Sequence, residues 1–148
     1  MVGAAPQSEE MIDNGGATGV LDASALLAMV YEEPGADRLE STIRRGALIS
    51  TVNWAEALSR MAERGEGVAE SVPHVRAAIE ALGTLQIVAF DDAQSLEVAR
   101  LRVLTKPFGL SLADRACLAL GRLNRLPVLT TDRAWRSLHL SIKIEVIR

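Results

Sequence analysis

The chain has 148 residues, 49% of them hydrophobic and 24% charged, with a formal net charge of −3. That is enough chain for one globular domain with a real core, and the mild acidity argues against a simple basic-patch binder of nucleic acid. A single cysteine, Cys117, excludes an internal disulfide and points to a reducing cytoplasm, while the longest apolar run, ALLAMVY, falls far short of the ~20 residues a membrane span needs.

In chain order, residues 1–17 are polar, acidic and Gly-rich and lack the basic start and apolar core of a signal peptide. They read as a flexible leader, with Met11 as an alternative start, ahead of a domain over residues 18–148. The first strand is GVL (19–21), followed by a helix SALLAMVYEE, a break at Pro34 and Gly35, and a helix ADRLESTIRR. Strand ALIS (47–50) leads into helix NWAEALSRMAERG, which stops on Gly65. VAESVPHVRAAIEALG is the next helix, its first turn disturbed by Pro73. Strand LQIVAF (85–90) precedes helix DDAQSLEVARLRVL, whose two leading acids suit a helix N-terminus. Helix SLADRACLALGRLNRL, strand PVLTT (127–131), a short helix DRAWRSL and strand IKIEVI (142–147) complete the chain. Strands alternating with helices imply an α/β domain with a mostly parallel sheet and helices on both faces.

That alternation groups particular acids. In a βαβ unit the helix N-termini share an edge with the strand C-termini, where open α/β sheets bind ligands. Asp22 and Asp132 end the first and fourth strands, Asp114 is in the first turn of the helix entering strand four, and Glu56 is early in the helix leaving strand two. All four carboxylates therefore belong at one edge. Each alone also has a plain structural explanation. Asp22 and Asp132 suit N-caps, while Ser111 with Asp114, and Asn53 with Glu56, resemble capping boxes. By helical phase Glu56 falls off the apolar stripe of Trp54, Ala55, Leu58, Met61 and Ala62, near Arg60 and Glu63. Asp91 and Asp92 also follow a strand.

Gathered carboxylates repel one another unless a cation is present, and an all-oxygen donor set suits Mg²⁺ or Mn²⁺. Zinc has little support, because His74 and His139 stand alone and Cys117 lies on an apolar helix face. There is no Gly-rich phosphate loop and no Ser/His/Asp set. Trp54 and Trp135 read as packing residues.

Four stretches carry a family likeness. They are VLDASALLA with Asp22 and Ser24, STVNWAEALSRMAERG with Glu56, GLSLADRACLALG with Asp114, and PVLTTDRAW with Asp132. In this order and spacing the chain resembles a PIN domain over residues 19–148, specifically the VapC-type toxins of bacterial toxin–antitoxin pairs. The resemblance implies a three-layer α/β/α fold around a mostly parallel five-stranded sheet in order 3-2-1-4-5. Its switch point lies between strands one and four, which leaves Asp91 and Asp92 to helix capping. It implies an endoribonuclease using Mg²⁺ or Mn²⁺, with Asp22 and Asp132 on the principal cation and Glu56 and Asp114 completing the pocket. Ser24, Thr130 and Thr131 would hold the carboxylates, and Arg115 and Arg133 would contact RNA phosphate. Ala113 stands where glycine is common in similar sequences, and no fifth acid stands near Asp132. The partners implied are a cognate VapB-type antitoxin, an RNA substrate and a second copy in a homodimer. Segment 23–31 and the helices around 35–64 are the expected contact surfaces. The alternative from a different class is a catalytically silent PIN-like module that binds protein or RNA and keeps its acids for capping.

Overall fold

The computed structural model describes residues 14–148. Along the chain run β1 (Gly19–Leu21), α1 (Ala23–Val30), α2 (Ala36–Arg44), β2 (Ala47–Ser50), α3 (Thr51–Glu63), α4 (Val68–Leu82) and β3 (Leu85–Val88). They are followed by α5 (Asp92–Thr105), α6 (Leu112–Asn124), β4 (Val128–Thr130) and β5 (Ile144–Val146), with 3-10 turns at Lys106–Phe108 and Arg133–Ser137. The sheet order is β3-β2-β1-β4-β5 and every pairing is parallel, the expected topology.

Strand periodicity builds two cores from one sheet. Val20 pairs in register with Leu48 and Val128, and Leu21 with Ile49 and Leu129. Successive side chains point to opposite faces, so the two rows separate. Leu21, Ile49 and Leu129 join Leu26, Leu39, Trp54 and Ile79 from α1 to α4. Val20, Leu48 and Val128 join Leu101, Leu118 and Trp135 on the other side. The result is three layers, with α1–α4 on one face and α5–α6 on the other. Strands buried on both faces are near-continuous apolar runs, as in other parallel sheets. On the second face Glu97, only 3% exposed, lies between Arg100 and Arg122 at 3.3 and 3.4 Å, and so ties α5 to α6.

Several local expectations change. α3 begins at Thr51, capped by the Ser50 hydroxyl, which accepts from the Val52 amide at 3.1 Å. The Asn53–Glu56 capping box is therefore absent, because Asn53 already lies inside the helix. The buried stripe of α3 is Asn53, Trp54, Ala57 and Met61, whereas Ala55 and Ala62 are exposed. Small side chains gave the sequence pattern little power to fix the phase, and the true stripe lies next to Glu56. α4 runs through Pro73 from a regular start at Val68. DRAWRSL forms only the 3-10 turn, capped by Asp132.

The contact surface expected at 23–31 is not a surface. Ala23, Ala25, Leu26, Leu27, Ala28 and Met29 are all buried, because α1 lies between the sheet and its neighbouring helices. Large apolar side chains are exposed instead along α5 and the turn to α6, at Leu96, Val103, Leu104, Phe108 and Leu112. Of the expected leader, residues 1–13, Met11 among them, lie outside the described residues. Ala17 is buried against the second core, and the Thr18 amide and hydroxyl both donate to the Gly46 carbonyl. Among the described residues no helix is long and apolar enough to cross a membrane.

Candidate active site

β1 ends in the core and its next residue is Asp22, so the strand delivers a carboxylate directly to the edge of the sheet. Asp22 is 6% exposed and caps α1. Its Oδ1 accepts from the Ser24 hydroxyl at 2.7 Å and the Ala25 amide at 2.8 Å. Its Oδ2 accepts from the Thr130 hydroxyl at 2.5 Å. A carboxylate offers about four lone-pair positions, so the protein uses three and leaves one. The Asp22 carboxyl is raised from 3.8 to about 6, chiefly by burial, with the Thr130, Ser24 and Ala25 hydrogen bonds opposing the rise and the Asp114 charge adding to it.

The two central strands are laced together here. The Thr130 hydroxyl donates to Asp22 and accepts from the Asp132 amide at 3.0 Å. The Ser24 hydroxyl accepts from the Thr131 amide at 3.0 Å. Ser24 and Thr130 thus hold Asp22 as expected, whereas Thr131 acts through its backbone. Asp132 is exposed at the start of its turn and accepts from the Ala134 amide at 2.9 Å.

Asp114 and Glu56 approach from helices on opposite faces of the sheet. Asp114 closes a capping box with Ser111, as read from the sequence. Its Oδ2 accepts from the Ser111 amide at 3.0 Å. Glu56 is half-buried and meets Arg60 at 3.4 Å. The Asn53 amide group, 1% exposed, donates to the Ala113 carbonyl at 3.0 Å and couples the helix of Glu56 to that of Asp114. Sequence reading missed this role of Asn53; its only trace is a polar residue beside an apolar stripe. Cys117, buried one turn beyond Asp114, registers the cluster: its thiol is pushed well above 9.0 by burial, then by the charges of Asp22, Asp114 and Glu56.

The two arginines expected on RNA separate. Arg115 donates to the Val98 carbonyl at 3.2 Å and helps fix α6 to α5. Arg133 is exposed, with its Nε 3.4 Å from the Arg148 carbonyl. Asp91 caps α5, accepting from the Gln94 amide at 2.9 Å.

The donor set is all oxygen, the chemistry of a hard divalent cation. Glu56 Oε1, Asp114 Oδ1 and Asp132 Oδ2 carry no hydrogen bond among the described residues. As placed, no group of three or more His, Cys, Asp or Glu among the described residues stands close enough to surround a metal ion. Closing a shell around Asp22 therefore requires the less buried acids to turn toward it.

The sequence profile of the PIN domain matches residues 19–139. The chain belongs to the PIN domain family. None of the curated proteins matches it significantly. Solved structures similar to this PIN domain include VapBC2 from Rickettsia felis bound to a DNA fragment from their promoter, at 14% identity and a TM-score of 0.66, covering 86% of this chain and 97% of that one. FitAcB from Neisseria gonorrhoeae is 21% identical with a TM-score of 0.63, covering 86% and 96% of the two chains. VapBC-5 from Mycobacterium tuberculosis, a member of the VapBC family of toxin-antitoxin systems, is 23% identical with a TM-score of 0.53, covering 89% and 98%. At these identities the likeness is one of fold.

Proposed function

We propose that this PIN domain is a divalent-metal-dependent endoribonuclease and the toxin of a VapBC-type pair. The observation that carries the reading is Asp22, a desolvated carboxylate shifted to about 6 in the field of Asp114. Asp22 with Asp132, completed by Glu56 and Asp114, would hold Mg²⁺ or Mn²⁺. When bound, the cation neutralises charge on a phosphoryl oxygen and lowers the pKa of a water. Thr130 and Ser24 keep both oxygens of Asp22 in fixed directions, and supports of this kind typically matter 10–100-fold in metal affinity or activity. The shared Thr130 hydroxyl also ties the Asp132 backbone to the Asp22 side chain. Arg133, exposed beside Asp132, would contact an RNA phosphate.

A similar solved structure belongs to the VapBC family of toxin-antitoxin systems, which supports a VapB-type antitoxin as partner; a ribonuclease acting in the cytoplasm would be harmful without such a partner to hold it. The exposed apolar side chains of α5 and the turn after it support a homodimer. Incubating purified protein with structured RNA and Mg²⁺ tests the activity. Cleavage that stops with EDTA and in Asp22→Asn supports it; equal cleavage in either arm refutes it.

A second reading is a silent PIN-like binding module. It is favoured by the absence, among the described residues, of a ready metal-holding group, and by the capping duties of Asp114 and Asp132. A melting temperature indifferent to Mg²⁺ and Mn²⁺ selects it over the enzyme.

A further inference from the structure

Ser24 and Thr131 also line a cavity of about 200 Å³ beside the acids. Arg60 and Arg64 reach it from the end of α3 and Arg148 from the far side, while Glu33 is the single carboxylate in its wall. Three guanidinium groups thus face one carboxylate side chain in the cavity wall, in a chain of net charge −3.

The arginines are loosely held. Arg148 meets Glu33 at 3.1 Å and Arg60 meets Glu56 at 3.4 Å, both partly exposed, so neither pair is strong. Arg64 makes no ion pair among the described residues; its guanidinium lies over the Tyr31 ring, 3.9 Å from the centroid. The Tyr31 hydroxyl donates to Glu66 at 2.9 Å, which fixes the ring under Arg64.

We propose that this cavity is a phosphate subsite that holds a neighbouring phosphate of the RNA strand while the scissile one lies at Asp22, an inference that rests on the endoribonuclease reading above. An acidic pocket repels a polyanion, so a strand is retained there only if cations beside it supply the attraction. Guanidinium forks match phosphate geometry and need little displacement of their weak partners. The Tyr31 face is already covered by Arg64, so the cavity offers no stacking platform on that side. It recognises backbone rather than base, which positions the strand without reading its sequence. A phosphate that takes Arg60 from Glu56 also releases Glu56 Oε2 toward the acid cluster, coupling strand placement to the site.

The test measures binding of bulk transfer RNA in EDTA, where no metal-dependent cleavage occurs, at several salt concentrations. The variants are Arg64→Gln, Arg148→Gln and the double variant. Arg45→Gln, just before β2 at the opposite edge of the sheet, is the control, and circular dichroism confirms that each folds. Each pocket substitution lowers the slope of log K against log[salt] by about 1, and the double variant loses about tenfold in affinity; the control changes neither. With Mg²⁺ the pocket variants raise KM for RNA cleavage and keep kcat. An unchanged salt slope in folded Arg64→Gln and Arg148→Gln overturns the subsite, even if the wild type cleaves RNA. A wild type that never cleaves, with slopes that still fall, refutes the endoribonuclease reading and leaves RNA binding at the cavity supported.

Discussion

Replacing Asp22 by Asn isolates the energetic consequence of burying that carboxyl. Its shift from 3.8 to about 6 corresponds to about 3 kcal/mol, since one pKa unit is about 1.4 kcal/mol. The folded state binds the proton more tightly than the unfolded chain. The stabilising contribution of protonated Asp22 is therefore complete below about pH 3.8 and lost as the pH rises through about 6. Asn carries no charge and escapes this loss. Its carbonyl serves Ser24 and Ala25, but its amide meets the Thr130 hydroxyl, whose proton loses the acceptor it had in Asp22 Oδ2. One imperfect hydrogen bond costs about 1 kcal/mol. The variant should be about 0.5 kcal/mol less stable than wild type at pH 4 and about 2 kcal/mol more stable at pH 7.5. The latter is a rise of about 6 °C in Tm for a chain of this length. Thermal melts of both proteins in EDTA at the two pH values measure this. A difference of the same sign and size at both would refute the assignment of a desolvated, titrating Asp22.

Other expected outcomes follow from the same contacts. Mg²⁺ or Mn²⁺ at 100 times its Kd should stabilise the wild type by about 2.7 kcal/mol in thermal melts, and Asp22→Asn should not respond. Thr130→Val deletes the donor to Asp22 and the acceptor for the Asp132 amide. Urea unfolding should show a loss of about 1–3 kcal/mol, and metal titration a 10–100-fold weaker midpoint. Gly121→Ala adds a Cβ that collides with the Val128 side chain of β4. It should destabilise by about 1–3 kcal/mol in urea, whereas a gain of ~1 kcal/mol, as in an uncrowded helix interior, would show that α6 can move away.

Layer order and strand identity were legible in the sequence because each strand is short, apolar and bracketed by helices. GVL and ALIS appear at their expected bounds, while LQIVAF and IKIEVI shorten because ladder pairing stops before their apolar residues do. The edge shared by Asp22, Asp132, Asp114 and Glu56 was legible from strand direction alone. What pattern could not supply was burial. Segment 23–31 looks like an apolar docking face, yet such a run serves equally as a helix enclosed on all sides, and only the packing of α2 and α3 on α1 decides. The arginine cavity was likewise hidden, since it joins Arg148 to residues more than 80 positions away; the Arg60–Arg64 spacing is its only local mark.

Capping and chemistry are not exclusive duties for these acids, which explains why motif spacing alone leaves both open. A helix N-terminus favours a carboxylate through its exposed amides and dipole, so an α/β fold can set acids along its sheet edge at little cost. Asp91 shows what capping requires: it serves α5 from an exposed position with one amide contact at 2.9 Å. Asp22 makes the same kind of contact to α1, at 2.8 Å, yet it is buried, held by two further hydroxyls, and shifted to about 6. Nothing in the capping of α1 requires that desolvation or those hydroxyls. A cation arriving at the remaining lone pair would offset the desolvation directly, and the charge of Asp114, which burdens Asp22 in its absence, would then add to its binding. The feature that separates Asp22 from an ordinary cap is thus the one that ion binding would reverse.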